Sequence, residues 1–185
     1  MTTHTRPIVI TQGDVAGIGP EIVVQAFRDA PQATQGCVVV GDVAAMHRAA
    51  QVLAQQQPEQ PAIQVLPVAS CHDVPTVWPA HTVPVLQQGP VFDETNLPEF
   101  GRISAQAGQS AADCVLWAAH AALRGEVSAL VTAPLHKEAL AAAGVPFPGH
   151  TELLQACAAT HAGVAVSDMP VRMMLANPEL RTVLV

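Results

Sequence analysis

Tyrosine is absent from this 185-residue chain, and all aromatic residues together make up 3% of it. A core must therefore be built mainly from Val, Leu, Ile and Ala, and a platform of rings for stacking nucleic-acid bases is excluded. Cations are scarce as well: 8 Lys and Arg against 15 Asp and Glu leave a formal charge of −7. That balance argues against a phosphate-neutralising surface, and so against nucleic acid as a partner. Cys37, Cys71, Cys114 and Cys157 form no CxxC pair; buried thiols in a reducing cytosol are expected, not a zinc knuckle or a disulfide framework. No apolar run approaches the ~20 residues of a membrane span. Met1-Thr-Thr-His4 lacks the basic start and apolar run of a signal peptide. A cytoplasmic chain that engages no membrane is expected. GxGxxG, GKS or GKT, HExxH, His-x-His and GxSxG are also missing. Their absence removes the standard dinucleotide and Walker loops, a self-contained zinc site and a serine-hydrolase elbow.

What is present reads as one globular α/β unit. Hydrophobic residues account for 50% of the chain, enough to bury a core at this length. Residues 7–11 and 37–40 are short β-branched strands, each followed by a glycine and then a helical pattern. Pro20 and Glu21 suit the first turn of a helix running to residue 29, and Asp42 is the expected N-cap of a helix reaching residue 54. Residues 55–98 hold eight of the sixteen prolines and are expected to be mostly loop, with short strands at 63–68 and 82–86. Residues 101–124 form the longest helical pattern, with Ala107, Ala111, Cys114, Ala118 and Ala122 recurring along one stripe. A buried strand at 127–131 follows, then helices at 136–143 and 151–160, then strands at 170–175 and 181–185. Strands alternating with helices imply a central sheet flanked by helices.

Polar candidates gather where strands give way to helices, the rim at which open α/β sheets place ligands. Gly13-Asp-Val-Ala-Gly-Ile-Gly19 has three glycines in seven residues. It serves either as a tight turn or as a ligand-contacting loop, with Asp14 capping the turn or facing the cleft. His136 and Lys137 follow Pro134 at a strand exit, as a solvated helix start or as cleft residues. His150 follows Pro148-Gly149 in a loop, free of the demands of core packing. With Thr151, whose alternative role is an N-cap, it forms the favoured ligand-binding pair.

Gly13-Asp-Val-Ala-Gly-Ile-Gly-Pro-Glu21, Thr132-Ala-Pro-Leu-His-Lys137 and Pro148-Gly-His-Thr-Glu-Leu153 occur in one order. With Met173-Met-Leu-Ala-Asn177 and Leu180-Arg-Thr-Val-Leu-Val185, this set resembles the 4-hydroxythreonine-4-phosphate dehydrogenases of pyridoxal phosphate biosynthesis. The resemblance covers essentially the whole chain and corresponds to the N-terminal portion of that family. It implies a fold like the isocitrate and isopropylmalate dehydrogenases: a central mixed sheet flanked by helices, two lobes in the complete protein, and a homodimer. Residues 1–185 would then be the first part of a longer, two-lobed dehydrogenase.

The resemblance also implies NAD-dependent oxidation of the 3-hydroxyl of 4-phosphohydroxythreonine, followed by loss of CO2 to give 3-amino-2-oxopropyl phosphate. A divalent metal (Zn, Mg or Co) would polarise the hydroxyl. His150 and Thr151 take the substrate-contacting positions; Asp14, His136 and Lys137 remain possible cleft residues. The family's metal ligands and most of its NAD contacts map beyond Val185, so an isolated chain of this length is expected to be inactive. Gln12 and Val15 stand where many members carry proline, a change of loop stiffness more than of chemistry. Two alternatives remain open: a paralogous erythronate or threonate 4-phosphate dehydrogenase, and a non-catalytic lobe that binds a phosphorylated metabolite or dimerises.

Overall fold

The computed structural model describes residues 6–71, 78–93 and 95–184. The elements run β1 (Ile8–Thr11), α1 (Gly19–Asp29), β2 (Cys37–Gly41), α2 (Val43–Gln56), β3 (Gln64–Val68), β4 (Thr82–Gln87) and α3 (Ala105–Leu123). After these come β5 (Ala129–Thr132), α4 (Lys137–Ala142), α5 (His150–Ala162), β6 (Met174–Ala176) and β7 (Arg181–Val183). Strands β1 to β5 form one sheet in the order β3-β4-β2-β1-β5, and every pairing in it is parallel.

The expected mixed central sheet is therefore corrected. The antiparallel pair β6–β7 forms a separate two-stranded sheet. Parallel neighbours need long crossovers, whereas β6 and β7 are joined by a short turn that permits only antiparallel pairing. Asn177 builds that turn, its Oδ1 accepting from the backbone N–H groups of Glu179 and Leu180 at 2.9 and 2.7 Å.

Two helical layers enclose the sheet. On one face Val23, Val24 and Phe27 of α1 and Met46 and Leu53 of α2 pack with Val39, Val65, Val83 and Val85. On the other, Cys114, Ala118 and Ala121 of α3 meet Val9, Val38 and Val40. The alanine stripe of α3 is what lets the helix settle close to the strands. Residues 55–98, expected to be mostly loop, supply two full members of the sheet: β3 pairs along its whole length with β4, which also pairs with β2. Proline is tolerated in both strands, at Pro67 and Pro84.

The strand expected to be buried at 127–131 is Ala129–Thr132, and it alternates between exposed and half-buried. It pairs with β1 alone, as the edge of this sheet, so Val131 stays 50% exposed. Helix limits follow their caps. Asp42 Oδ1 accepts from the Ala45 N–H at 2.8 Å, and Ser104 Oγ from the Ala107 N–H at 3.3 Å, so α3 begins after residue 104 and not at 101.

Candidate functional site

From β1 the chain passes through α1 to β2 on one side, and β5 lies on the other side of β1. Such a change of direction leaves a crevice beyond the carboxyl ends of the strands. Thr11 and Thr132 are register partners at that edge, and the Thr11 Oγ1 is buried with no hydrogen-bond partner.

The glycine-rich loop after β1 turns its polar groups inward. Gly13 has φ +76, and a Cβ there would lie 2.3 Å from the Pro134 carbonyl oxygen. A Cβ at Gly19 would lie 2.4 Å from the Gln12 carbonyl oxygen. Gly13 and Gly19 thus let this loop approach its own chain. Asp14 is the turn cap: its Oδ1 accepts from the Ala16 N–H at 2.8 Å, its N–H donates to the Pro134 carbonyl at 2.9 Å, and its carbonyl accepts from Gly17 at 3.0 Å.

Gln12 and Arg48 hold this loop from outside. The fully buried Gln12 side chain donates to Ser110 Oγ at 3.0 Å and accepts from the Asp42 N–H at 2.7 Å. Arg48 of α2 donates to the carbonyls of Val15 and Pro98 at 2.6 and 2.8 Å. Reasoning from sequence singled out neither for a role. The signal for Gln12 was its departure from proline. Arg48 carried none, because its partners are distant backbone atoms.

The second part of the edge is less self-contained. Tight packing of α3 on α4 positions it: a Cβ at Gly108 would lie 2.0 Å from the Ala139 carbonyl. His136 is exposed and caps α4, its Nδ1 accepting from the Ala139 N–H at 3.4 Å; this is the helix-start role. Lys137 is exposed, and its Cε lies 3.8 Å from where a Cβ on Gly149 would stand. Gly149 is the N-cap of α5 and makes no side-chain cap bond. Thr151 is therefore inside the first turn, exposed and without a hydrogen bond, and its N-cap alternative is not realised.

His150 opens α5 half-buried, with Nε2 enclosed and unpartnered. Burial pushes its imidazole below the usual histidine pKa, which keeps the ring neutral. Asp14 is thus tied to the 134 turn, while Lys137 lies beside Gly149. The candidates share one edge, but among the described residues no hydrogen bond joins any two of their side chains.

Among the described residues no group of three His, Cys, Asp or Glu side chains is placed to hold a metal ion. His47, His120 and His161 are exposed on helices; His4 and His72 lie outside the described residues. No helix among the described residues is long and apolar enough to cross a membrane.

A parallel sheet between two helical layers, with polar groups where strand exits meet helix starts, defines an open α/β unit. The model of the pyridoxal phosphate biosynthetic protein PdxA family matches residues 33–185, and the chain belongs to that family. It is 38% identical over 190 residues to the 4-hydroxythreonine-4-phosphate dehydrogenase of Beijerinckia indica, covering 100% of this chain and 49% of that protein. It is 40% identical over 151 residues to the D-threonate 4-phosphate dehydrogenase of Salmonella typhimurium, covering 82% of this chain and 43% of the relative. A solved 4-hydroxythreonine-4-phosphate dehydrogenase from Klebsiella pneumoniae superposes with a TM-score of 0.78 at 31% identity, over 97% of this chain and 50% of that one. The chain thus spans about half the length of the curated relatives it matches.

Proposed function

We propose that this chain is the N-terminal part of an NAD-dependent dehydrogenase that oxidises the 3-hydroxyl of 4-phosphohydroxythreonine. The β-keto acid so formed loses its carboxylate as CO2, leaving 3-amino-2-oxopropyl phosphate. The complete protein is two-lobed, built like the isocitrate and isopropylmalate dehydrogenases, and works as a cytoplasmic homodimer. The observation that carries this reading is the free edge at α5, where His150 Nε2 and the Thr151 hydroxyl have no partner within the fold. It falls in a chain whose curated relatives are named as dehydrogenases of 4-phosphates.

In this reading the neutral His150 ring and the Thr151 hydroxyl make hydrogen bonds to the substrate. The unsatisfied N–H groups at the start of α5, with the Lys137 ammonium beside Gly149, draw one of its anionic groups. Asp14 and His136 act one step back, shaping the two turns that border the crevice. The part proposed for this chain is substrate binding and orientation.

The relative named for D-threonate 4-phosphate is as similar as the one named for 4-hydroxythreonine 4-phosphate. A sugar-acid phosphate, with a hydroxyl in place of the amino group, is therefore the second reading. NADH formation by the full-length protein with each 4-phosphate separates them, the preferred substrate being the one with the higher kcat/KM. Turnover of neither would overturn both and leave a lobe that binds without oxidising.

A further inference from the structure

Arg48 is one of only eight cations in the chain, yet it is half-buried and none of the ion pairs among the described residues includes it. Its guanidinium is committed to backbone. One nitrogen donates to the Val15 carbonyl at 2.6 Å and another to the Pro98 carbonyl at 2.8 Å. Its Cζ stands 4.1 Å from the centre of the Phe100 ring. A separate bond runs parallel to this clamp, from the Gly101 N–H to the Ala16 carbonyl at 2.8 Å. Glycine residues make the 13–19 loop the segment of this edge with the most conformational freedom to lose. A planar fork that reaches two carbonyls at once is suited to removing that freedom.

The placement of these contacts gives them a consequence for binding. The loop is tied at one end to the turn before α4, through Asp14 and Pro134, and at the other to α2 through Arg48. Releasing Arg48 removes the tie at the Val15 carbonyl, while the Asp14 tie, the Gly101 bond to Ala16 and the packing of Val15 and Ala16 beside Ala45 and Phe92 persist, so the loop loosens without loss of the sheet. Burial disfavours the charged guanidinium, and the nearby Glu21 carboxylate offsets part of that penalty. The penalty is accepted for contacts that fix two loops and fill no core position.

We propose that Arg48 is a positioning residue for the crevice: by clamping the 13–19 loop to the 98–101 segment it sets the loop conformation that the phosphorylated substrate meets. This inference rests on the functional reading above.

The test compares wild type, Arg48→Met and Arg48→Lys in the full-length protein, by amide hydrogen exchange and by steady-state kinetics with the preferred 4-phosphate. In Arg48→Met, exchange at residues 15–17 rises about tenfold or more while exchange within β1 and β2 is unchanged. KM for the phosphorylated substrate rises about tenfold with kcat altered less than about twofold, the signature of lost ground-state binding. Arg48→Lys, which keeps the charge and can reach one carbonyl, recovers part of both effects. Unchanged loop exchange, an unchanged KM, or a fall in kcat that the lysine variant does not relieve would each overturn the inference. Absence of wild-type turnover with either 4-phosphate overturns instead the functional reading; loop exchange would still report whether Arg48 holds the loop.

Discussion

The 13–19 loop and the start of α5 occupy the same edge of one sheet and carry similar groups: backbone N–H donors, small residues, a short polar side chain. They use them in opposite ways. In the loop Asp14 caps Ala16, the Asp14 N–H reaches Pro134, and the carbonyls of Val15 and Ala16 accept from Arg48 and Gly101. At the start of α5 the cap is a bare glycine, Thr151 is exposed without a partner, and His150 Nε2 is enclosed and unbonded. Groups satisfied inside the fold build the rim of a crevice; groups left over are what a ligand can recognise, because a buried polar atom without a partner is held at a cost.

The largest effect that would sharpen this contrast comes from the loop. Gly13→Ala forces a side chain into φ +76 and against the Pro134 carbonyl, so it should destabilise the protein by about 3 kcal/mol. Equilibrium unfolding in denaturant reads this directly, and an unchanged midpoint would mean the loop is not the tight structural turn described.

At α5 the balance should reverse, with activity falling and stability holding. His150→Ala in the full-length enzyme should lower kcat/KM by roughly 10- to 100-fold, the worth of a hydrogen bond to a charged partner. The melting temperature should move by only about 2 °C, since no intramolecular bond is lost. Wild-type kinetics in that variant would break the comparison. Thr151→Val, at an exposed position, should cost about 5-fold in kcat/KM, as expected for a neutral hydroxyl contact. A larger loss of stability than of activity would return Thr151 to a structural role.

The smallest effect is on pH. Burial lowers the folded-state pKa of His150 below 6.5, so the unfolded chain takes up the proton first as the pH drops. Stability is therefore fully present above 6.5 and declines as the pH falls from there toward the folded value. His150→Gln should flatten that limb in denaturation midpoints measured from pH 7.5 to 5 (about the range in which imidazole titrates). An identical slope would mean the ring is not desolvated by the fold.

Local signals served the fold well where an element stands on its own neighbours. Asp42 was legible as an N-cap and residues 37–40 as a strand, because each depends on atoms a few residues away. The strand at 129–132 shows the limit. Its apolar residues suggested burial, yet β5 lies at the edge of the sheet, and only neighbours distant in sequence determine that. The eight prolines of 55–98 suggested loop, although Pro67 and Pro84 sit in paired strands whose remaining ladder bonds absorb the missing donors. At the site, His150 could be read from its place after Pro148-Gly149. Gln12 could not, because its partner Ser110 is 98 residues away.

By itself the sequence determined the order of strands and helices, the α/β class, the caps and the motif set that marks the family. These follow from short-range periodicity and from side chains that bond their own next turn. Only the tertiary structure decided that the main sheet is wholly parallel, that β5 is its edge, and that Gly13 and Gly19 are needed for close backbone approach. It also separated Asp14, His136 and Gln12, which are bonded within the fold, from His150 and Thr151, which are not. Whether a polar atom is satisfied depends on which distant segment is brought against it, and that is settled by the packing of the sheet and its two helical layers.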